Sequence, residues 1–322
     1  MREIRIDPTT GEEVVLATAR VGRPNHLRPG RAVRTPPEDC PFCPGNEAKT
    51  PPLIAETVLA GEWQARAFAN RFPALAIEGS LEGRAFGPYA KVSGLGAHEV
   101  VVESRLHDDP VWSLPDGGAA AFVLAQARMR DLARDVRLKY LCWFRNVGPE
   151  AGGSMSHPHA QLLALPRIPP RVKRMFDRFE AHLRETEREL LQDLLNYELE
   201  KGERVIWEGR GLVALCPWAP QMPFEVWFVP SRPQGSWLED SIDLAGLAEG
   251  MAKVLRAQAK VLASPSYNAC LYQAPVGGAA GFRWHVRLMP RLGAYGGFEL
   301  ISGSVLHGVP PEESARLLRE NL

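Results

Sequence analysis

Two histidines and a glutamine stand at alternate positions in Ser154-Met155-Ser156-His157-Pro158-His159-Ala160-Gln161, directly after the glycine-rich stretch 146–153. On an extended backbone His157, His159 and Gln161 project to one side. A histidine that is neutral near pH 7 can attack phosphorus and leave an N–P bond that a second acceptor cleaves. Gln161 can donate to a non-bridging phosphate oxygen as charge builds there. Gly152-Gly153-Ser154 offers backbone N–H groups and a hydroxyl to the same anion. A solvated strand edge punctuated by Pro158 fits the segment too, so the rest of the chain must decide.

Cys40-Pro41-Phe42-Cys43-Pro44-Gly45 brings two thiols together on a tight turn, as tetrahedral zinc prefers. A redox pair is the other use of this spacing, but it wants a helix N-terminus to lower a thiol pKa. Here a proline follows each cysteine and no helical pattern begins at Cys43. Zinc leads, and two further ligands are needed, most naturally from the eight histidines. His107 closes a predicted strand beside Asp108 and Asp109, which could orient its ring. His182 reads as solvated on a long helix. A metal ligand at His157 or His159 would anchor the segment and leave the other imidazole as nucleophile. Cys142, Cys216 and Cys270, in apolar runs, read as ordinary buried thiols.

The elements that must position these groups belong to an ordinary globular chain of 322 residues, 45% hydrophobic and 24% charged. Lys plus Arg and Asp plus Glu balance at 38 each, so no global field draws nucleic acid or an anionic membrane. Any anion must be held locally. No apolar run reaches the roughly 18 residues of a membrane span, and residues 1–5 lack a signal-peptide core. Five cysteines do not make a secreted disulfide framework, so a reducing cytoplasm is the expected compartment.

A hairpin is expected over 4–20, turning at Asp7-Pro8-Thr9-Thr10-Gly11. Strands are expected at 65–69, 99–103, 141–144, 212–216 and 224–229. Helices are expected at 117–138, with Phe122, Leu124, Met129, Leu132 and Val136 on the buried side, at 170–201 with one possible break, at 241–262, and after Pro310-Pro311. The halves repeat at an offset of about 126 to 128 residues. Ala97-His98-Glu99-Val100 matches Pro223-Phe224-Glu225-Val226, and each is followed by a helix, an aromatic strand, a glycine-rich loop and a His-containing strand ending in Pro-Arg. The fold expected is α+β, a duplicated unit of antiparallel sheet flanked by helices, divided as 1–168 and 169–322.

Taken together, several motifs resemble galactose-1-phosphate uridylyltransferase, of the histidine-triad superfamily, over nearly the whole length. They are the Asp-Pro-x-x-Gly hairpin with Arg20 and Arg23, Cys-Pro-Phe-Cys-Pro-Gly-Asn-Glu, Asn70-x-Phe72-Pro73-Ala74-Leu75, Asn146, Ser154 with His157-Pro158-His159-x-Gln161, and Gly297-Phe298-Glu299. The resemblance implies a half-barrel of the histidine-triad type in each half. It implies zinc held by Cys40, Cys43, His107 and His157, and His159 as the nucleophile that becomes uridylylated, assisted by Gln161 and Ser154. Asn146 would contact the phosphates, with Arg20, Arg23 and Asn70 at the nucleotide. Glu299 would reach the hexose from the partner subunit of a homodimer. The implied reaction is ping-pong, with UDP-glucose as donor and galactose-1-phosphate as acceptor.

The chain departs from that family in three places. A second metal site of one Glu and three His in some members falls here on Met175, Gln273, His285 and Arg287, so its absence is expected. Arg71 replaces an acidic residue common beside the nucleotide-site asparagine. Val305 stands where a sugar-binding glutamine is often found. A relative transferring adenylyl groups, from ADP-glucose to phosphate, is therefore the alternative enzyme. A zinc-stabilised nucleic-acid-binding module is the alternative of another class, and the balanced charge argues against it.

Overall fold

A computed structural model describes residues 2–20, 35–107 and 118–322. Its centre is one antiparallel sheet of ten strands. From one edge inward run β3 (Leu53–Leu59), β4 (Glu62–Ala69), β7 (Ala97–Val102), β9 (His159–Leu165) and β8 (Tyr140–Val147). From the other edge inward run β10 (Val205–Gly209), β11 (Leu212–Leu215), β12 (Val226–Pro230), β14 (His285–Pro290) and β13 (Tyr267–Tyr272). The two series have the same internal order, so the repeat legible in the sequence is a repeat of topology. They join where β8 meets β13, with Asn146 opposite Asn268 and Phe144 opposite Cys270. The sheet is therefore continuous across the division expected at residue 168.

Alternation along the strands separates two faces. Val101, Ala160, Leu162, Trp143, Ala269, Leu288 and Phe228 are buried in one cluster with α1 (Ala119–Ala133) and α4 (Leu244–Leu262). Each helix follows the third strand of its half. On the other face the second half is covered by α2 (Pro170–Thr186) and α3 (Leu190–Lys201). Met175, Phe176, Phe179, Leu191 and Leu195 pack there with Tyr140, Trp227 and Phe282. The long amphipathic segment does break once, at Glu187, whose φ of 59° places it in the left-handed region. Over the first half that face carries the cysteine turn instead, with Phe42 packed on Phe68, Val100 and Val102.

A small sheet closes the chain ends: β1 (Arg2–Ile6), β2 (Glu13–Ala17) and β15 (Val305–His307), the last parallel to β2. A hairpin of β5 (Gly83–Phe86) and β6 (Tyr89–Val92), and α5 (Gly297–Ser302) before β15, had no sequence expectation. The final helix, α6 (Pro311–Arg319), begins at its proline as expected. Two expectations are corrected. Val136 lies beyond α1 and is 81% exposed, because the helix stops at Ala133. His182 is half-buried rather than solvated, its Nε2 lying 2.8 Å from Asp193 Oδ2 on the next helix. Among the described residues no helix is long and apolar enough to cross a membrane.

Candidate active site

The cysteine turn is tied by its own backbone. Cys40 N–H donates to Pro36 O at 3.0 Å and Asn46 Nδ2 donates to Cys40 O at 2.9 Å. Phe42 docks it onto the sheet, its ring 5.7 Å from Phe68 and 5.3 Å from His159. Both sulfurs then face imidazoles. Cys40 Sγ lies 3.7 Å from His157 Nδ1, while Cys43 Sγ lies 3.6 Å from the same atom and 3.0 Å from His107 Nδ1. The outer nitrogens are used elsewhere: His157 Nε2–H donates to Ser104 O at 2.8 Å, and His107 Nε2–H to Thr35 O at 2.6 Å. Those bonds leave the Nδ1 lone pairs turned inward. The four ligand atoms lie within 4.8 Å of one another. A tetrahedron with metal–sulfur bonds of about 2.3 Å and metal–nitrogen bonds of about 2.0 Å needs ligand separations of this order. The residues present fit a metal ion.

His157 is not on the strand, as the alternating pattern had implied. It sits in a bend before Pro158, and β9 begins at His159. That bend lets the two rings part company. Glu103 N–H donates to Pro158 O at 3.0 Å and holds the segment in place. His157 gives its backbone carbonyl to His159 Nδ1–H at 2.8 Å. The proton on Nδ1 leaves a lone pair on Nε2. Burial lowers the His159 pKa from its usual value, partly opposed by the bond to His157 O. That shift favours the neutral ring, the form whose free lone pair can attack phosphorus.

Gln161 follows two residues on, on the same face. Its Oε1 lies 2.8 Å from His98 Nε2, and Asn70 Nδ2 lies 3.2 Å from that same ring nitrogen. His98 Nδ1 accepts Ala74 N–H at 3.1 Å, so the ring proton is on Nε2 and is donated to Gln161. His98 thus bonds Gln161 and lies against Asn70, two predicted site residues, and the sequence had given it no role. The only signal for it was its place in the repeated Ala97-His98-Glu99 segment. On the sheet's other face lies a buried ion pair, Arg145 Nη2 to Glu103 Oε1 at 2.5 Å, with both side chains 1% exposed. The Arg145 guanidinium lies over the rings of Trp143 and Phe122 at 5.4 and 5.9 Å.

The structure brings together Cys40, Cys43, His107 and His157, and separately Asn70, His98 and Gln161 beside His159. Asn146 stands at the end of β8, half-buried, and Ser154 is exposed in the loop that follows. Asp108 and Asp109, expected to orient His107, lie outside the described residues, and Thr35 O does that work. Arg23 is also outside them, and Arg20 ends a short 3-10 turn. Glu299 is on α5, where its Oε2 accepts Gly296 N–H at 2.8 Å. Val305 is 7% exposed and pairs with Val14 in the small sheet. Burial pushes the Cys142 and Cys270 thiols up to about 12 and about 11, so both stay protonated.

The second half repeats the strand but not the chemistry. His285 opens β14 as His159 opens β9, yet it is fully buried, stacked on Tyr272 at 5.1 Å and Trp227 at 5.2 Å. Arg287 Nε donates to His285 Nε2 at 3.1 Å, taking up its lone pair. Gln273 Nε2 donates to Leu141 O at 3.0 Å, and Met175 is packed in the apolar cluster under α2.

The chain is thus an α+β protein of two like antiparallel halves, with a buried histidine set two residues from a cluster of four possible metal ligands. The sequence signature of the N-terminal domain of galactose-1-phosphate uridyl transferase matches residues 1–169, and this chain belongs to that family. It is 31% identical to ADP-glucose phosphorylase of Arabidopsis thaliana over 333 residues, 99% of this chain and 92% of that protein. It is 28% identical to galactose-1-phosphate uridylyltransferase of Thermotoga maritima over 333 residues, 99% of this chain and 98% of that protein. The crystal structure of an Arabidopsis thaliana ADP-glucose phosphorylase with bound ADP-glucose superposes with a TM-score of 0.85 at 27% identity, covering 99% of this chain and 98% of that one. A solved uridylyltransferase gives 0.76 at 27% identity, covering 100% and 98%.

Proposed function

We propose that the chain moves a nucleoside monophosphate from a nucleoside diphosphate hexose to a phosphate-bearing acceptor, through His159. His159 Nε2 attacks the α-phosphorus, the bond from that phosphorus to the bridging oxygen breaks, and hexose-1-phosphate leaves with the electron pair. An acceptor phosphate oxygen then attacks the same phosphorus, and the N–P electrons return to Nε2. The Nδ1–H bond to His157 O keeps the lone pair on the reacting nitrogen throughout. Gln161, its oxygen engaged by His98, donates through its amide NH2 to a non-bridging oxygen. Ser154 and Asn146 serve the same phosphates, and Arg20, Arg23 and Asn70 the nucleoside. Zinc at Cys40, Cys43, His107 and His157, when bound, supplies a structural anchor for the start of β9.

The observation that carries the choice of substrate is Val305. The resemblance puts a sugar contact at this position, and here the residue is spent in pairing with Val14. Both donors carry a hexose, so the lost contact weakens only the case for a hexose-phosphate acceptor and does not choose the base; inorganic phosphate as acceptor, with ADP-glucose as donor and ADP as product, is the reading we adopt. The full-length similarity to ADP-glucose phosphorylase supports the same reading. The second reading, UDP-glucose with galactose-1-phosphate, is favoured by the Thermotoga relative. In either case residues 1–168 carry the transfer chemistry and 169–322 line the substrate site. Glu299 serves the hexose of a partner subunit in a cytoplasmic homodimer. The exposed Phe298, Leu300 and Ile301 beside it support a surface that a second copy covers.

Incubation with ADP-glucose or UDP-glucose labelled at the α-phosphate tests the proposal. An acid-labile, base-stable label on the protein is expected, stronger from ADP-glucose and discharged by inorganic phosphate. Label from neither donor would refute the covalent mechanism. Label from UDP-glucose alone, discharged by galactose-1-phosphate, would select the second reading.

A further inference from the structure

Asn268 belongs to β13, in the half of the chain without the nucleophile, and stands directly opposite Asn146 where the halves meet. Its Nδ2 donates to Asn146 Oδ1 at 2.8 Å and to Ala151 O at 2.9 Å. An amide whose oxygen is already accepting has its NH2 group left to offer. An ionised phosphate only accepts, so an Asn146 turned the other way would confront it with a lone pair. Asn268 therefore decides which end of the Asn146 amide is available.

The same strand and Ser266, the residue just before it, clamp the glycine-rich loop that follows β8. Ser266 Oγ donates to the Glu150 carboxylate. Gly148, with φ of +83°, lies so close to Ser266 that a Cβ there would collide with its hydroxyl. Gly153 N–H closes the loop onto Gly148 O at 2.9 Å. Contacts from β13 and the residue just before it thus meet the loop at Gly148, Glu150 and Ala151.

We infer that Asn268 is a positioning residue of the transfer site, fixing Asn146 as an amide donor toward phosphate. The inference rests on the nucleotidyl-transfer reading above and deepens it: the second half sets the phosphate geometry of the first. Asn268 touches no reacting atom and acts through Asn146.

A double-mutant cycle tests this. Single-turnover labelling from the α-labelled donor is measured for wild type, Asn268→Ala, Asn146→Ala and the double variant. A misplaced donor costs transition-state stabilisation on the order of 10- to 100-fold, and Asn268→Ala should lose that much in rate with little change in donor KM. In the Asn146→Ala background the same change should cost under about threefold, because its target is gone. A purely structural role would cost the same factor in both backgrounds, and that result overturns the inference. Asn268→Asp keeps the shape but turns an acceptor toward Asn146, so it should be at least as slow as Asn268→Ala. If it labels like wild type the inference also fails. Should wild type take no label at all, the nucleotidyl-transfer reading falls and this one with it.

Discussion

Gln161 Oε1 accepts the proton of His98 Nε2 at 2.8 Å while Ala74 N–H occupies the ring's other nitrogen at 3.1 Å. The second bond fixes the tautomer and the first then fixes the amide, so a backbone N–H on the loop after β4 settles which end of the Gln161 amide is left to donate. His98→Phe keeps a ring of similar bulk but removes this lock. We expect kcat to fall about tenfold. Gln161→Ala removes the donor itself and should cost about 10²- to 10³-fold. Steady-state turnover of both variants checks the order. A His98→Phe enzyme slower than Gln161→Ala would mean that His98 acts by another route.

His159→Ala deletes the nitrogen proposed to attack phosphorus, together with one hydrogen bond, to His157 O. Labelling should disappear, while metal content stays at the wild-type level because His157 keeps its own carbonyl partner, Ser104 O. The site is 9% exposed, so a modest loss of thermal stability accompanies the substitution. Turnover retained in this variant would refute a covalent histidine.

Cys40→Ser weakens one corner of the four-residue cluster. The cluster ties the turn around residue 40 to the start of β9, segments more than a hundred residues apart, so metal binding and folding are linked. We expect most of the metal to be lost and Tm to fall by roughly 10 °C. Chelation of wild type should reproduce the shift. A variant with full metal by elemental analysis would show that Cys40 is not a ligand.

What could be read from the chain beforehand was local. Cys40 and Cys43 announce a metal turn by their spacing, and His159 and Gln161 announce a shared face by theirs. The failures are where a partner arrives from far away. His98 meets Gln161 across 63 residues and Asn268 meets Asn146 across 122, and neither pairing leaves a mark in the local pattern. Sheet register alone creates both. His157 was misplaced on the strand because alternation cannot show a bend, and the bend is what frees it for the cysteines. Arg287 shows the converse. Its capture of His285 turns a strand that resembles the one carrying His159 into packing, and only the burial of both side chains reveals that.

The Glu103–Arg145 pair is the last point where sheet and site meet. Glu103 takes two bonds from Arg145 through Oε1, at 2.5 and 3.1 Å, and its own N–H holds Pro158 O between His157 and His159. Removing one partner leaves an uncompensated charge in a fully buried place, which costs about 3–5 kcal/mol. Arg145→Met should therefore lower Tm by roughly 10 °C, on the usual scale of a few degrees per kcal/mol. Glu103→Gln should do the same, since it strands the guanidinium. Replacing both at once removes the pair rather than breaking it, and should recover much of the loss. Calorimetry on the two single variants and the double measures this. If the double variant is destabilised by the full sum of the singles, the pair is not a coupled unit.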